Sequence, residues 1–563
     1  MAPWLPSLRT HLIPNEPDSD KGRDKVAVIF RKLIEVAISD VVLSTTLEQS
    51  IWPVICQDEV YIDIFLEEIL KPALNFGIDD ERTEILGSIL ASLGTVTIRG
   101  KLISRLRKAL NRTSLRPTRH LHENTVWGEI CVLLRLTLSV SFDSGVQSQL
   151  YLPEVFHLVT MLANTGSSDL RLIVHRLLVN TIHAMCTTFV LEESKLAKLK
   201  LLLSSISEPR QESLFSIASR DGASLPSSQD SGPSALLATE SLASLLSDIS
   251  IVAAPTVDLS NTWRARWMSL VASTAFQSNP AIQPRAFTVM GCLAREDVDD
   301  DLLYQVLVAL RSSIGRYMDD GDSEMMVAIV TALTKMMDKL PSASRYGTQL
   351  FWLALSLVRL VPIGLFNCAA MFLDAVLLNI GASGELGNGR MIQTLLLGRV
   401  PLDEAAIQLD EIYGIHFTAE NFHFAVSACM VKGMTDSLTR STAMRVISTF
   451  LDTTTTNAPE GISFPQDVSC MPYLGLLLGR ALNPEDAGHS LWLATATQGD
   501  LTPHTEADME SIMQIAGLNE KELLLTCAIG LVDFHYLDDT IQNSAFQWLN
   551  KLAISSSNVM LRL

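Results

Sequence analysis

The sequence predicts an all-α protein, and three observations support this prediction. Apolar residues recur at steps of three and four along nearly the whole chain, whereas the alternation typical of strands is almost absent. The inferred helices are short and are separated by polar turns such as NTGSSD at 164–169 and DDGDSE at 319–324. They pair about every 35 to 45 residues. This period predicts an α-solenoid of stacked helical hairpins of the HEAT or armadillo kind, in which each hairpin buries its apolar face against its neighbours.

The helical stripes are clearest in three segments, 170–185, 302–314 and 326–340. Each places apolar residues on one face of a helix at a period of 3.6, so each face is predicted to lie in the core. In the first segment the stripe consists of Leu170, Ile173, Val174, Leu177, Leu178, Thr181, Ile182 and Met185.

The stretch TAFQSNPAIQPRAFTVMGCLA at 274–294 places two prolines in front of an apolar helical segment. Pro284 is suited to the first turn of a helix, because its missing N–H would have no helical partner there. Pro280 disfavours helical geometry at Asn279, which ends the preceding helix. We therefore expect a helix that begins near Pro284 and packs one apolar face.

Two breaks in the helical pattern divide the chain into predicted domains. Residues 205–234 are rich in Ser, Pro, Gly and Gln and contain too few apolar residues to offset the entropy of ordering, so we expect a flexible insertion. The predicted organisation is a first helical-repeat stack at 1–204, this insertion at 205–234, a second stack at 235–451, a long loop at 452–467 and C-terminal helical repeats at 468–563.

The overall charge restricts the class of partner. The chain has 43 basic and 62 acidic residues, a formal net charge of -19. This charge repels phosphate backbones and anionic lipid, so neither nucleic-acid binding nor direct membrane insertion is predicted. The most apolar uncharged run, 360–373, has 14 residues, whereas a membrane span needs about 20. The N-terminal stretch MAPWLPSLRTHLIPNEPD is interrupted by prolines and is not a secretory signal.

The cysteines indicate a reducing compartment. The chain contains 8 cysteines, spaced at least 41 residues apart and mostly placed within apolar helical runs. Such spacing is typical of buried free thiols rather than of a disulfide framework. We therefore predict a cytoplasmic protein.

The histidine and acidic clusters of the sequence are better explained by structural roles than by metal binding. His120 and His122 are two residues apart and would not share a helical face, so they do not predict a metal site. The acidic runs 296–301 and 318–324 are interpreted as helix caps and first-turn charges rather than calcium loops. His175 and His183 lie near an apolar stripe and are expected at the core edge as hydrogen-bonded residues.

Catalytic and nucleotide-binding motifs are absent from the sequence. It contains no G-x-S-x-G, H-E-x-x-H, P-loop or G-x-G-x-x-G, and the glycine-rich stretch GASGELGNG at 381–389 is not followed by Lys-Ser or Lys-Thr. We therefore predict no catalytic, cofactor-binding or metal-binding residue.

The most basic stretch is RGKLISRLRKALNRTSLRPTR at 99–119. Arg105, Lys108 and Arg112 share one face of the predicted helix, while leucines and an alanine cover the other. Two interpretations stay open: a solvated face, or a docking patch for an acidic partner or for the chain's own acidic segments.

The proline-marked stretch also carries a family resemblance. AFQSNPAIQPRAFTVMGCLA resembles a segment in the C-terminal helical-repeat region of neurofibromin and its Ira-type relatives, which are large Ras GTPase-activating proteins. Six further segments resemble counterparts in the same order: MAPWLPSL (1–8), LHENTVWGEICVLLR (121–135), YLPEVFHLVTMLANTG (151–166), VNTIHAMCT (179–187), LFWLALSLVRL (350–360) and GIHFTAENFHFAVSACMVKG (414–433). The resemblance is weakest in 205–234 and after about residue 453.

The resemblance implies a non-catalytic scaffold or dimerisation arm of a negative regulator of Ras signalling. In this family the catalytic domain with its arginine finger, a Sec14-like module and a pleckstrin-like domain precede the repeats, and none of these is found in this sequence. A fragment, a split gene model and a truncated copy all fit this pattern, and Met1 need not be a natural start.

The expected partners are proteins. The resemblance implies self-association or association with the upstream part of the parent protein, with Ras engaged only indirectly through an absent catalytic domain. The alternative is a free-standing helical-repeat adaptor that binds a protein partner in its concave groove.

Overall fold

The computed structural model describes residues 19–55, 59–94, 96–142, 146–188, 191–207, 215, 233–294, 298–341, 344–382, 391–413, 417, 422–434 and 437–456. Helices account for 86% of the structure, and no strand occurs in these described ranges. The all-α prediction is confirmed.

The described helices range from 4 to 21 residues in length and follow one another closely. Thirteen helices lie in the described ranges before residue 295: α1 Ser19–Ser39, α2 Val41–Ser50, α3 Trp52–Ile55, α4 Glu59–Phe76, α5 Glu81–Leu93, α6 Val96–Arg112, α7 Trp127–Ser139, α8 Leu152–Leu162, α9 Ser168–Thr188, α10 Glu193–Ser207, α11 Pro233–Ala253, α12 Val257–Ala275 and α13 Gln283–Leu293. The later ones are α14 Asp300–Asp320, α15 Glu324–Met337, α16 Gly347–Leu360, α17 Ile363–Ala382, α18 Met391–Arg399, α19 Asp403–Tyr413, α20 Phe422–Met434 and α21 Ser437–Thr456. Short 3-10 turns lie at Thr113–Leu115, Leu121–Glu123, Val146–Tyr151 and Val400–Leu402.

Tertiary contacts divide the chain into two compact units. The first comprises Met1–Arg295 with Leu307–Ala332, and the second comprises Glu296–Val306 with Leu333–Leu563. Helices α10 and α11, which precede and follow the predicted insertion, pack against each other inside the first unit. The first unit therefore continues across this segment, most of which lies outside the described residues.

The predicted loop at 452–467 and the predicted repeats at 468–563 fall largely beyond the described ranges. Helix α21 extends to Thr456, so the first residues assigned to that loop are helical. The remaining residues of both segments lie outside the part of the chain that the structure describes.

Helix α13 is a fully buried helix of the first unit. It spans Gln283–Leu293 with Pro284 in its first turn, so the predicted helix start is confirmed. All eleven of its residues are buried, not only one face as the sequence predicted. The reason is that α8, α11 and α12 all pack against it.

The predicted core stripes are largely confirmed. In α9 every residue of the stripe except the half-buried Thr181 is buried, and the stripe of 326–340 is buried along its whole length. In α14 the stripe is narrower: Leu303, Val306 and Leu310 are buried, whereas the other stripe positions are half-buried.

Two described helices are long and apolar enough to cross a membrane by length and composition alone, Ala235–Ala253 and Ile363–Ala382. Half of each apolar window is buried inside the protein. In the second of these, Asp374 receives a hydrogen bond of 2.7 Å from Thr449 Oγ1 and an ion pair of 3.1 Å from Arg445 Nε. A carboxylate that is paired in this way is typical of a core helix, since a buried charge needs a partner.

The second unit has an aromatic core. Helix α17 packs against α16 and α21, although three helices lie between α17 and α21 in the chain. Phe351, Trp352, Phe422 and Phe450 form a connected set of ring contacts with centroid separations between 5.2 and 6.1 Å. Phe351, Phe422 and Phe450 are among the largest fully buried side chains that the structure describes.

Candidate functional site

Three segments that are distant in the sequence meet at a buried cluster in the first unit, here called the polar junction: Thr113, Asn124, Thr165, Asn279 and Arg285. Asn279 Nδ2 donates a hydrogen bond of 2.6 Å to Thr113 Oγ1. Asn124 Nδ2 donates bonds of 3.3 Å to the Thr113 carbonyl and 2.9 Å to the Arg116 carbonyl. Buried polar groups persist only when they are paired in this way.

Arg285 fixes the end of α8. Its guanidinium donates to the carbonyls of Met161 at 2.8 Å and Asn164 at 3.4 Å, and to Thr165 Oγ1. The last carbonyls of a helix lack helical partners and carry partial negative charge, so a buried cation is stabilised there. The junction thus ties α13 to α8.

The buried polar roles of Asn279 and Arg285 in the proline-marked stretch were not predicted from the sequence. The available signal was an amide side chain directly before a proline and an arginine at the start of an otherwise apolar helix. Both residues are buried, which is unusual for these residue types without a specific partner.

An open groove of about 630 Å³ lies beside the junction. Its walls include the apolar residues Leu74, Ile78, Trp127, Cys131 and Leu170 and the polar residues Asp79, His122 and Ser167. Gly166 also lines it, with a φ of +79°, and a Cβ at this position would lie 2.7 Å from the Trp127 ring. Only glycine allows this approach. The volume lies in the range of ordinary ligand and peptide sites, roughly 300 to 1,000 Å³.

The groove has one carboxylate and no lysine or arginine among its lining residues. No ion pair to Asp79 occurs among the described residues. Burial, and secondarily Asp79, raise the pKa of the Cys131 thiol to about 12. A raised pKa keeps the thiol protonated near neutral pH, whereas the thiolate is the reactive form. The arrangement suits binding of an apolar group that carries a positive charge.

The prediction that His120 and His122 do not share a face is wrong. Their rings stack with centroids 5.5 Å apart. The cause is local backbone geometry: His120 is extended and His122 lies in the 3-10 turn Leu121–Glu123, so the spacing of an α-helix does not apply. Among the residues that the structure describes, no group of three His, Cys, Asp or Glu side chains is arranged to hold a metal ion.

His175 and His183, the two histidines predicted at the core edge, differ in burial. His175 Nε2 lies 3.1 Å from the Ile206 carbonyl, and its ring packs edge-on against Phe215, so its prediction as a core-edge residue is confirmed. His183 is exposed, so the same prediction is wrong there.

The described parts of the acidic runs act as helix caps. Asp299 Oδ1 accepts a hydrogen bond of 2.6 Å from the Leu302 amide, and Asp322 Oδ1 accepts one of 3.1 Å from the Glu324 amide. Asp300 also forms an ion pair of 3.5 Å with Arg345. These contacts satisfy free amides at helix starts, as the sequence predicted.

The basic face of α6 is partly neutralised by neighbouring helices. Arg105 Nη2 lies 3.8 Å from Glu67 Oε1, and Arg112 pairs with Glu129. Lys108 is exposed, and no ion pair to it occurs among the described residues. The structure therefore places the three predicted residues on one helix but leaves only one of them uncompensated.

A buried ion-pair cluster lies in the second unit. Asp410 Oδ1 lies 3.2 Å from Arg359 Nη1 and 2.7 Å from Arg399 Nη2. The Arg399 guanidinium also stacks over the rings of Trp352 and Phe417, 4.7 and 4.9 Å from their centroids. The cluster joins α16, α18 and α19, and we interpret it as an ion-pair network that stabilises the packing of these helices.

Helical packing, buried polar ties and an open apolar groove with a single carboxylate together describe an all-helical protein. The chain is 22% identical over 453 residues to the inhibitory regulator protein IRA2 of Saccharomyces cerevisiae, a match that covers 78% of this chain and 14% of that protein. It is also 22% identical over 513 residues to the inhibitory regulator protein IRA1 of the same yeast, which covers 89% of this chain and 16% of that protein.

These matches confirm the predicted Ira-type relationship: the chain is a relative of the inhibitory regulator proteins. It spans only 14% to 16% of the length of these two relatives. No family model matches the chain.

Proposed function

We propose that this chain is a non-catalytic scaffold and dimerisation arm of a neurofibromin-like Ras GTPase-activating protein, a negative regulator of Ras signalling in the cytoplasm. The observation that carries this proposal is the match to IRA1 and IRA2, which extends over 78% to 89% of this chain but over a small part of each relative. A collinear match of this extent supports a shared module within a much larger regulator.

The module is proposed to be an α-solenoid of the HEAT or armadillo kind. Sequential helices pack as pairs, for example α12 with α13, α16 with α17 and α20 with α21. Pairs of this type bury an apolar face only by stacking on further helices, which is the principle of a solenoid.

A non-catalytic role is supported by the arginines at the two polar clusters. Ras activation by this class of protein depends on an arginine that reaches into the GTPase site. Arg285 and Arg359 are buried and donate hydrogen bonds to backbone carbonyls of neighbouring helices. Arginines that are held in this way stabilise the fold and are not positioned to insert into a partner.

The second candidate is a free-standing adaptor that binds a protein partner. The groove that contains Trp127 and Asp79 favours it, because an aromatic wall with a single charge is a common arrangement for peptide recognition. The two candidates differ in whether catalytic-domain sequence lies upstream of this chain in its gene.

A GTP hydrolysis assay tests the proposal. We expect the purified chain, at a concentration equal to that of Ras, to leave the hydrolysis rate unchanged, because an arginine finger contributes roughly 10³ to 10⁵ in rate. A matched catalytic domain serves as the positive control. Measurable stimulation by the chain alone would overturn the scaffold role, and failure to co-purify with the upstream part of the parent protein would favour the adaptor.

A further inference from the structure

The groove beside the polar junction has a defined chemical preference. Leu74, Ile78 and Trp127 form apolar walls, and Asp79 supplies a negative charge that no described lysine or arginine neutralises. A ligand that fits this surface is extended, carries large apolar side chains and has one positive charge close to them.

Residues 1–18, MAPWLPSLRTHLIPNEPD, match this preference and lie outside the described residues. They include Trp4, Leu5 and Leu8, and Arg9 is the only lysine or arginine among them. They also contain four prolines, which favour an extended polyproline II conformation. Proline-rich extended segments dock in aromatic-lined grooves at a low entropic cost, because the bound conformation is already preferred.

The segment is long enough to reach the groove. Arg23, in the first turns of α1, lies 3.1 Å from Glu67 of α4 through its Nη2 and the Glu67 Oε2. Leu74 lies on the same helix, seven residues later, which is about 10 Å along the axis. The lengths of the Arg23 and Glu67 side chains and the helical turn from Ser19 to Arg23 add to this distance. Ser19 therefore lies at most roughly 30 Å from Leu74. Eighteen extended residues span up to about 59 Å.

We propose that residues 1–18 bind in this groove of their own chain, with Trp4, Leu5 and Leu8 against the apolar walls and Arg9 paired with Asp79. The groove is then an intramolecular docking site that holds the segment preceding α1 against the first unit. This inference does not depend on the proposed regulatory function.

Hydrogen exchange measured by mass spectrometry on the full chain tests it. The peptide covering residues 1–18 is expected to exchange at least about tenfold more slowly than an unstructured segment. Asp79→Arg and Arg9→Glu, each made alone, are expected to return exchange to the unstructured rate, because each places like charges together. The double variant is expected to restore the slow rate.

Asp319→Arg is the matched control, since it makes the same change of charge at an exposed position of the first unit. It is expected to leave exchange of residues 1–18 unchanged. Unprotected exchange in the wild type, or single variants that behave as the wild type does, would overturn the proposal. Protection that is lost on roughly hundredfold dilution would also overturn it, because the occupant would then be a second copy.

Discussion

At the residue scale, His157 shows how burial sets a charge state. It lies within α8, and its Nε2 is 3.2 Å from Thr274 Oγ1. The Thr274 hydroxyl can donate to the Leu270 carbonyl at 3.1 Å, so it accepts from Nε2–H, which indicates the Nε2-protonated neutral ring. Burial, and secondarily the charge of Arg107, lower the pKa of His157 to about 3.

This neutral histidine predicts a loss of stability in acid. Unfolded His157 binds a proton near its ordinary pKa of about 6.5, whereas the folded residue does not until about 3. The stabilising contribution is therefore complete above pH 6.5 and falls by about 1.4 kcal/mol per pH unit between 6.5 and 3. Denaturant unfolding of the wild type and of His157→Gln at several pH values measures it. We expect the stability difference to shift in favour of the variant as pH falls from 7.5 to 5, and a constant difference would contradict the argument.

At the element scale, the close approach of α13 and α15 depends on Gly291. A Cβ at this position would lie 2.8 Å from the backbone Cα of Ala332, which cannot move without shifting α15. We expect Gly291→Ala to lower the free energy of unfolding by about 1 to 3 kcal/mol, the usual cost of overpacking.

The matched control is Gly315→Ala in α14, where nothing lies within 4 Å of the added methyl group. There we expect a gain of about 0.5 to 1 kcal/mol, since alanine favours a helix over glycine. Urea denaturation measures both variants. Equal effects of the two substitutions would show that the helices do not meet as closely as described.

The stripe of α9 gives a second test at this scale. Leu177 is 1% exposed, so Leu177→Asp should bury an unpaired charge and cost several kcal/mol. Lys108→Glu changes an exposed residue of the basic face and should alter stability by less than about 0.5 kcal/mol. Arg105→Glu should also have a small effect, slightly larger because it faces Glu67. Similar melting temperatures for Leu177→Asp and Lys108→Glu would show that the faces are wrongly assigned.

At the scale of the whole molecule, the scaffold proposal predicts association. We expect the chain to form dimers or larger species in light scattering, or to co-purify with the upstream part of its parent protein. We also expect limited proteolysis to cut first within 205–234, where the sequence has few apolar residues to support order. A stable monomer that binds no upstream segment and resists cleavage there would contradict both expectations.

The sequence by itself determined the helical class, the core stripes of α9 and α15, the start of α13 near Pro284 and the Ira-type relationship. These features follow from periodicity, from proline geometry and from ordered local motifs, all of which act over a few neighbouring residues. Only the tertiary structure decided which polar residues meet. Arg285 and Thr165 are 120 residues apart in the chain, and no local rule joins them.

Tertiary packing, rather than local sequence, also decided the remaining features of the candidate site. The stacking of His120 on His122 depends on a 3-10 turn that helical spacing did not predict. The groove exists because Leu74 of α4, Trp127 of α7 and Gly166 in the turn between α8 and α9 come together. Burial shifts the pKa values of His157 and Cys131 toward their neutral forms. This shift belongs to the packed chain, because desolvation needs the surrounding helices in place.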